Sequence, residues 1–160
     1  MADDLHSDPK PAESLGEIGL FHFAPYLMNR IMGRYNADVQ TSLKQQGLTT
    51  VKVRTLGVLT VVPGLTIKEL AVYAVTEQST LSRALESLEA AGFVRRQERE
   101  GDRRLREIHL TEAGRQEFEK HWQLLYARYQ TMFDDVGEDE RAQFVATLQK
   151  VLKNTRLHDF

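Results

Sequence analysis

The chain has 160 residues, enough for one domain with its own core. Its hydrophobic fraction of 41% and charged fraction of 28% are those of a globular protein, and its formal net charge of −2 excludes a uniformly basic surface. The absence of cysteine removes disulfides, thiolate metal sites, cysteine nucleophiles and thiol redox switches.

No apolar run approaches the ~18 residues needed to span a membrane. The acidic start has no apolar h-region and does not read as a signal peptide. A cytoplasmic protein without membrane contact is expected. Charge is unevenly placed. Residues 1–17 carry Asp3, Asp4, Asp8, Glu13 and Glu17 against Lys10. Residues 95–106 carry Arg95, Arg96, Arg99, Arg103, Arg104 and Arg106 against Glu98, Glu100 and Asp102. Phosphate responds to local potential, over a Debye length of ~8 Å.

Residues 1–15 are polar with two prolines and are expected to form a mobile arm, followed by a single domain over 16–160. Helical character begins near Ile18, with Pro25 near a helix start. Leu27, Ile31, Tyr35, Val39 and Leu43 recur every four residues along a long helix that Gly47 stops. Thr49 caps a second helix whose apolar side is Val53, Leu56, Val58 and Leu59, and Pro63-Gly64 breaks it. Thr66 and Glu69 form a capping-box pattern at a short third helix. A turn near Val75-Thr76 leads to a fourth helix, 77–91, with Leu81, Leu85 and Leu88 inward and Gly92 at its end. Two strands, from Phe93 and from Leu105, are joined by a Gly101-Asp102 turn. Thr111 opens a fifth helix with Phe118, Trp122, Leu125, Tyr129 and Met132 in a heptad-like seam, ended by Gly137. A sixth helix covers 138–156.

The order α-α-α-α-β-β-α-α is mainly α. It predicts a winged helix-turn-helix with a two-stranded β wing over 48–112. Long terminal helices, 16–47 and 113–157, would form a dimerisation region, because their apolar faces exceed the needs of a compact lobe.

A polar-faced helix running into a basic hairpin suits DNA. The helix enters the major groove and the hairpin reaches the neighbouring minor groove. Ser79, Thr80, Ser82 and Arg83 lie outside the Leu81–Leu85–Leu88 stripe. Short hydroxyls approach phosphates and base edges closely, and arginine makes bidentate contacts to guanine or clasps phosphate. A solvated face has the same pattern; the hairpin that follows favours DNA. Arg104, beside the turn, is placed to enter the minor groove, and Asp102 to orient its guanidinium. Arg103 fits groove or solvent equally well. The strand arginines Arg95, Arg96, Arg99 and Arg106 suit phosphate neighbours or ion pairs with Glu98, Glu100 and Glu107.

The strings GLTTVKVRTL, LTIKELA, STLSRALESLEAAGFVRR and GDRRLREIHLTEAG, with Asp102-x-Arg104, resemble the MarR family of bacterial transcriptional regulators. The resemblance is close over 47–114. It implies a homodimer of winged helix-turn-helix subunits on a pseudo-palindromic operator, often released by a small aromatic or phenolic effector. Glu77-Gln78 replaces the usual Ser-Pro start of the recognition helix, and the missing cysteine excludes the family's peroxide sensors. His22, Tyr26, Arg30, Arg54 and Trp122 are candidates to line an effector pocket, with Arg30 or Arg54 pairing an effector carboxylate. Arg54 also suits a structural role or phosphate.

Nothing points to catalysis, a metal or a cofactor. The five histidines form no ligand-spaced pair, and no P-loop, GxGxxG or GxSxG string is present. The expected function is a sequence-specific DNA-binding regulator, a ligand-responsive repressor acting as a homodimer. A winged-helix module used for protein contacts, or an enzyme, are the alternatives.

Overall fold

A computed structural model describes residues 13–158 of the chain, so most of the expected arm lies outside the described residues. Two compact units meet in sequence between Asp38 and Val39, inside one helix.

In the first unit, Ser14 caps helix α1 (Leu15–Ile18), and the Glu17 carboxylate accepts from the Ser14 amide at 2.7 Å. This capping box starts the helix slightly before the expected point near Ile18. A 3₁₀ turn (Leu20–His22) leads into α2 (Ala24–Lys44). Pro25 is its second residue, where a missing N–H breaks no helical bond. Leu15, Phe21, Leu27 and Ile31 all remain exposed, Phe21 by 73%.

In the second unit, the last turns of α2 bury Val39 and Leu43. Helix α3 (Thr50–Val61) is capped by Thr49, whose hydroxyl accepts from the Lys52 amide. Strand β1 (Leu65–Thr66) precedes helix α4 (Ile67–Tyr73), and helix α5 (Gln78–Ala90) follows. Strands β2 (Val94–Arg99) and β3 (Asp102–Leu110) form the hairpin. Helices α6 (Glu112–Met132) and α7 (Glu138–Thr155) complete the chain. Leu56, Leu59, Leu70, Leu81, Leu85, Leu88, Val94 and Ile108 form one buried cluster that joins α3, α4, α5 and the sheet.

The sheet has three antiparallel strands in the order β1-β3-β2, not the two expected. Leu65 pairs Ile108 and Thr66 pairs Glu107, which ties the start of α4 to the wing. The hairpin turn is Glu100-Gly101, one residue earlier than the expected Gly101-Asp102, and β3 begins at Asp102, not Leu105. Gly101 has φ +86°, the left-handed conformation that this second turn position needs and that aspartate adopts less readily.

Helix α6 is fixed to the end of α5. The Thr111 hydroxyl accepts from the Gly114 amide and donates to the Gly92 carbonyl at 2.7 Å, while the Thr111 amide donates to the Phe93 carbonyl at 3.0 Å. Gly114 is buried here: a Cβ on it would lie 2.0 Å from the Phe93 oxygen. Along α6 the rings of Phe118, Trp122, Tyr126, Tyr129 and Phe133 follow one another at centroid spacings of 5.3–6.0 Å, and Phe133 meets Phe144 of α7 at 6.0 Å. Trp122 and Tyr126 are nonetheless exposed, as are Val151 and Leu152 of α7.

Candidate nucleic-acid interface

Helices α4 and α5 and their turn form the helix-turn-helix. Thr66 and Glu69 make a complete capping box at α4: the Glu69 carboxylate accepts from the Thr66 amide and hydroxyl, each at 2.7 Å. These bonds hold the Glu69 carboxyl below its usual range. At the other end of α4, the Arg54 guanidinium donates to the Ala74 carbonyl at 2.8 Å and to Val75 at 3.4 Å. That places Arg54 as a clamp on the turn before α5. The Thr76 amide closes the turn on the Ala71 carbonyl, and Val75 sits at φ +49°.

Helix α5 buries Leu81, Ala84, Leu85 and Leu88. Ser79, Thr80 and Arg83 are exposed and Ser82 is half-buried, so all four lie off the core stripe. Glu77 is the N-cap but makes no side-chain capping bond. The first α5 amides are thus left without that partner. At the far end, Lys52 donates to the Ser87 hydroxyl at 2.7 Å.

The wing carries a large irregularity. Arg96 pairs Ile108 and Glu98 pairs Arg106 in regular register, yet Arg99 pairs Asp102. Arg103, Arg104 and Leu105 therefore face no residue on β2. A bulge of this kind redirects side chains at the end of a sheet. Asp102 Oδ1 accepts from the backbone amide of Arg104 at 3.0 Å. The expected link between the two residues exists, but it fixes the Arg104 backbone, and the guanidinium stays exposed.

The strand arginines divide by partner. Arg99 donates to Glu107 at 2.6 Å and reaches Glu69 at 3.4 Å. Arg96 pairs with Glu89 of α5 at 3.2 Å, and Arg95 donates to Gln97. His109 joins the other oxygen of Glu107 at 3.2 Å. The Arg99 hydrogen bond is the main cause of a lowered Glu107 pKa and, reciprocally, of a raised Arg99 pKa. Sequence spacing anticipates Glu107 as a partner of the strand arginines. It gives no hint of Glu69, which is 30 residues from Arg99.

The effector candidates fall in both units. His22 lies in the 3₁₀ turn, and Arg30 donates to the Tyr26 hydroxyl at 3.0 Å with its guanidinium over the same ring. Trp122 belongs to the α6 ring series and Arg54 to the turn. Sequence reasoning passed over His121. It is buried, its Nε2 lies 3.1 Å from Glu117, and its Nδ1 has no hydrogen-bond partner among the described residues. Among the described residues, no group of three or more histidines or carboxylates is placed to hold a metal, and no helix is long and apolar enough to cross a membrane.

A helix-turn-helix with a hairpin wing on one buried cluster defines a winged-helix DNA-binding protein. Comparison with known proteins agrees. The MarR family model matches residues 46–105. A crystal structure of a MarR family transcriptional regulator from Silicibacter pomeroyi is 46% identical, covers 92% of this chain and 100% of its own, and superposes with a TM-score of 0.87. S. aureus MepR, solved as a DNA complex, is 27% identical over 82% of this chain and 98% of its own, with a TM-score of 0.67. A Mycobacterium tuberculosis MarR family protein, solved with p-aminosalicylic acid, is 25% identical over 79% of this chain and 96% of its own, with a TM-score of 0.65. The chain belongs to the MarR family of DNA-binding transcriptional regulators.

Proposed function

We propose that this chain acts in the cytoplasm as a homodimeric, ligand-responsive repressor that holds a pseudo-palindromic operator. The observation that carries the reading is the pairing of an α5 face of Ser79, Thr80, Ser82 and Arg83 with a bulged wing on which Arg104 is exposed. The helix reads base edges in the major groove, and the wing follows the backbone into the minor groove. Exposed apolar side chains at Phe21 and Ile31, and at Trp122, Val151 and Leu152, support a second copy as the partner. No catalytic role is assigned.

A small aromatic acid is the effector class. The relative solved with p-aminosalicylic acid supports it, as do the α6 aromatic series and His121 Nδ1, which has no partner among the described residues. His22, Tyr26 and Arg30 within the first unit, and Arg54 and Trp122 within the second, are each separate candidates for effector contact.

The test is a gel shift with DNA from upstream of the chain's own gene, against a large excess of random duplex, with and without a panel of aromatic carboxylates and phenols. Specific retention that one compound relieves is expected. Equal competition by random DNA would overturn the reading and favour a module for protein contacts.

A further inference from the structure

We propose that Arg99 is a positioning residue for DNA recognition: it sets the wing tip against the helix-turn-helix by bridging Glu107 of β3 and Glu69 of α4. The inference rests on the wing touching DNA, as proposed above.

Three observations carry it. First, Arg99 stands where regular pairing ends. Up to Glu98 the ladder is in register; beyond Arg99 lie the turn and the unpaired Arg103, Arg104 and Leu105. Across the bulge the tip keeps a single cross-strand pair, Arg99 with Asp102, so its direction depends on what holds its base. Second, the Arg99 guanidinium uses two faces for two elements. Nε donates to Glu107 at 2.6 Å, and Nη2 reaches Glu69 at 3.4 Å. The fork geometry of arginine suits such a bridge; a lysine ammonium is a single point charge. Third, both carboxylates are themselves anchored. Glu69 closes the α4 capping box on Thr66, and Glu107 lies opposite Thr66 in the β1–β3 register and also meets His109. The chain of contacts thus runs from the first turn of α4 to Arg99, the first residue past the register shift of the wing.

This arrangement also separates Arg99 from its neighbours in sequence. Two acids less than half exposed offset its charge, so it contributes little net field to phosphate. Its effect on DNA must pass through the tip, above all through Arg104. Without the bridge the tip samples more orientations, and their ordering is repeated at each binding event.

The experiment uses the full chain and two duplexes: the operator, and the same operator trimmed of the flanking base pairs beneath the wings. Wild type, Arg99→Gln, Arg104→Ala, the double variant and Glu69→Gln are titrated on both, with thermal melting to verify folding. Glu69→Gln keeps the capping box, which glutamine also serves, and removes the charge that Arg99 engages. Wild type should lose affinity on trimming. Arg99→Gln should lose roughly fivefold on the full operator, the order expected for re-ordering a few side chains, and nothing on the trimmed one. In the Arg104→Ala background its cost should vanish. Glu69→Gln should show the same pattern with a smaller loss, and carries the comparison if Arg99→Gln does not fold. Wild-type affinity for Arg99→Gln and Glu69→Gln on the full operator overturns the proposal, as does an equal loss on both duplexes. If wild type ignores trimming and Arg104→Ala binds normally, the wing does not touch DNA; the underlying reading then fails, and the positioning role with it.

Discussion

The carboxylate of Asp102 holds the backbone amide of Arg104, at 3.0 Å, and leaves the Arg104 guanidinium exposed. The aspartate therefore acts on the shape of the wing tip. Asparagine can make the same bond without the charge. Asp102→Asn should bind operator at least as well as wild type, while Asp102→Ala should lose about three- to tenfold, the scale of one net hydrogen bond. Electrostatics alone predicts tighter binding for both, since each removes a negative charge. Fluorescence anisotropy with labelled operator separates the two accounts.

Arg83 projects from the exposed side of α5, opposite the buried Leu81 and Leu85. If it reads a base, Arg83→Ala should cost ~1–3 kcal/mol of discrimination between operator and random DNA. Titration against both duplexes measures this. An equal loss on both would make Arg83 a phosphate contact only.

Val75 is a β-branched residue at φ +49° with 78% of its surface exposed. Its conformation is strained, and burial offers little in return. Val75→Gly should raise stability by about 1 kcal/mol, the cost of a left-handed L-residue, as read from denaturant unfolding. A lower midpoint would show that the valine makes a contact that outweighs its strain.

Glu69 and Glu107 both have carboxyl pKa values below the ordinary 4.5, the first through Thr66 and the second through Arg99. Depressed folded-state values mean that the unfolded chain binds protons more readily. Their stabilisation is present above the unfolded pKa and is lost as pH falls through the folded values. The melting temperature should fall between about pH 5 and pH 3, and Glu69→Gln should flatten that slope. A variant with an unchanged slope would remove Glu69 from the account.

Gly114 leaves no space for a methyl group beside the Phe93 carbonyl, which is backbone and cannot swing away. Gly114→Ala should destabilise by about 3 kcal/mol, the upper range for overpacking, as measured by urea unfolding. Near-wild-type stability would mean that α6 shifts freely against the end of α5.

Local signals in the sequence carried much of the fold. Thr49, Thr66 with Glu69, and Thr111 each cap the helix whose start they mark, because capping is settled within four residues. The same signal stands at Ser14-x-x-Glu17 for α1, inside a polar stretch whose two prolines argue for an arm. Strand β1 had no such signal. Two residues show no periodicity, and Leu65-Thr66 is a strand only because Ile108 and Glu107, about forty residues on, lie opposite. The polar site divided in the same way. The outward set on α5 follows from helical spacing around Leu81, Leu85 and Leu88. The Arg54 clamp on Ala74 and the Arg99 bridge to Glu69 depend on how distant segments pack. The bulge that leaves Arg103 and Arg104 unpaired is a property of the hairpin register, which composition does not encode.

Hydroxyl-radical footprinting on the upstream DNA tests the central claim most directly. A two-fold pair of winged helices should protect two half-sites whose centres lie about one helical turn, ~34 Å, apart. Flanking minor-groove protection should disappear in Arg104→Ala while the central pattern remains. A single asymmetric patch, or no protection at concentrations where the chain is bound, would contradict the account.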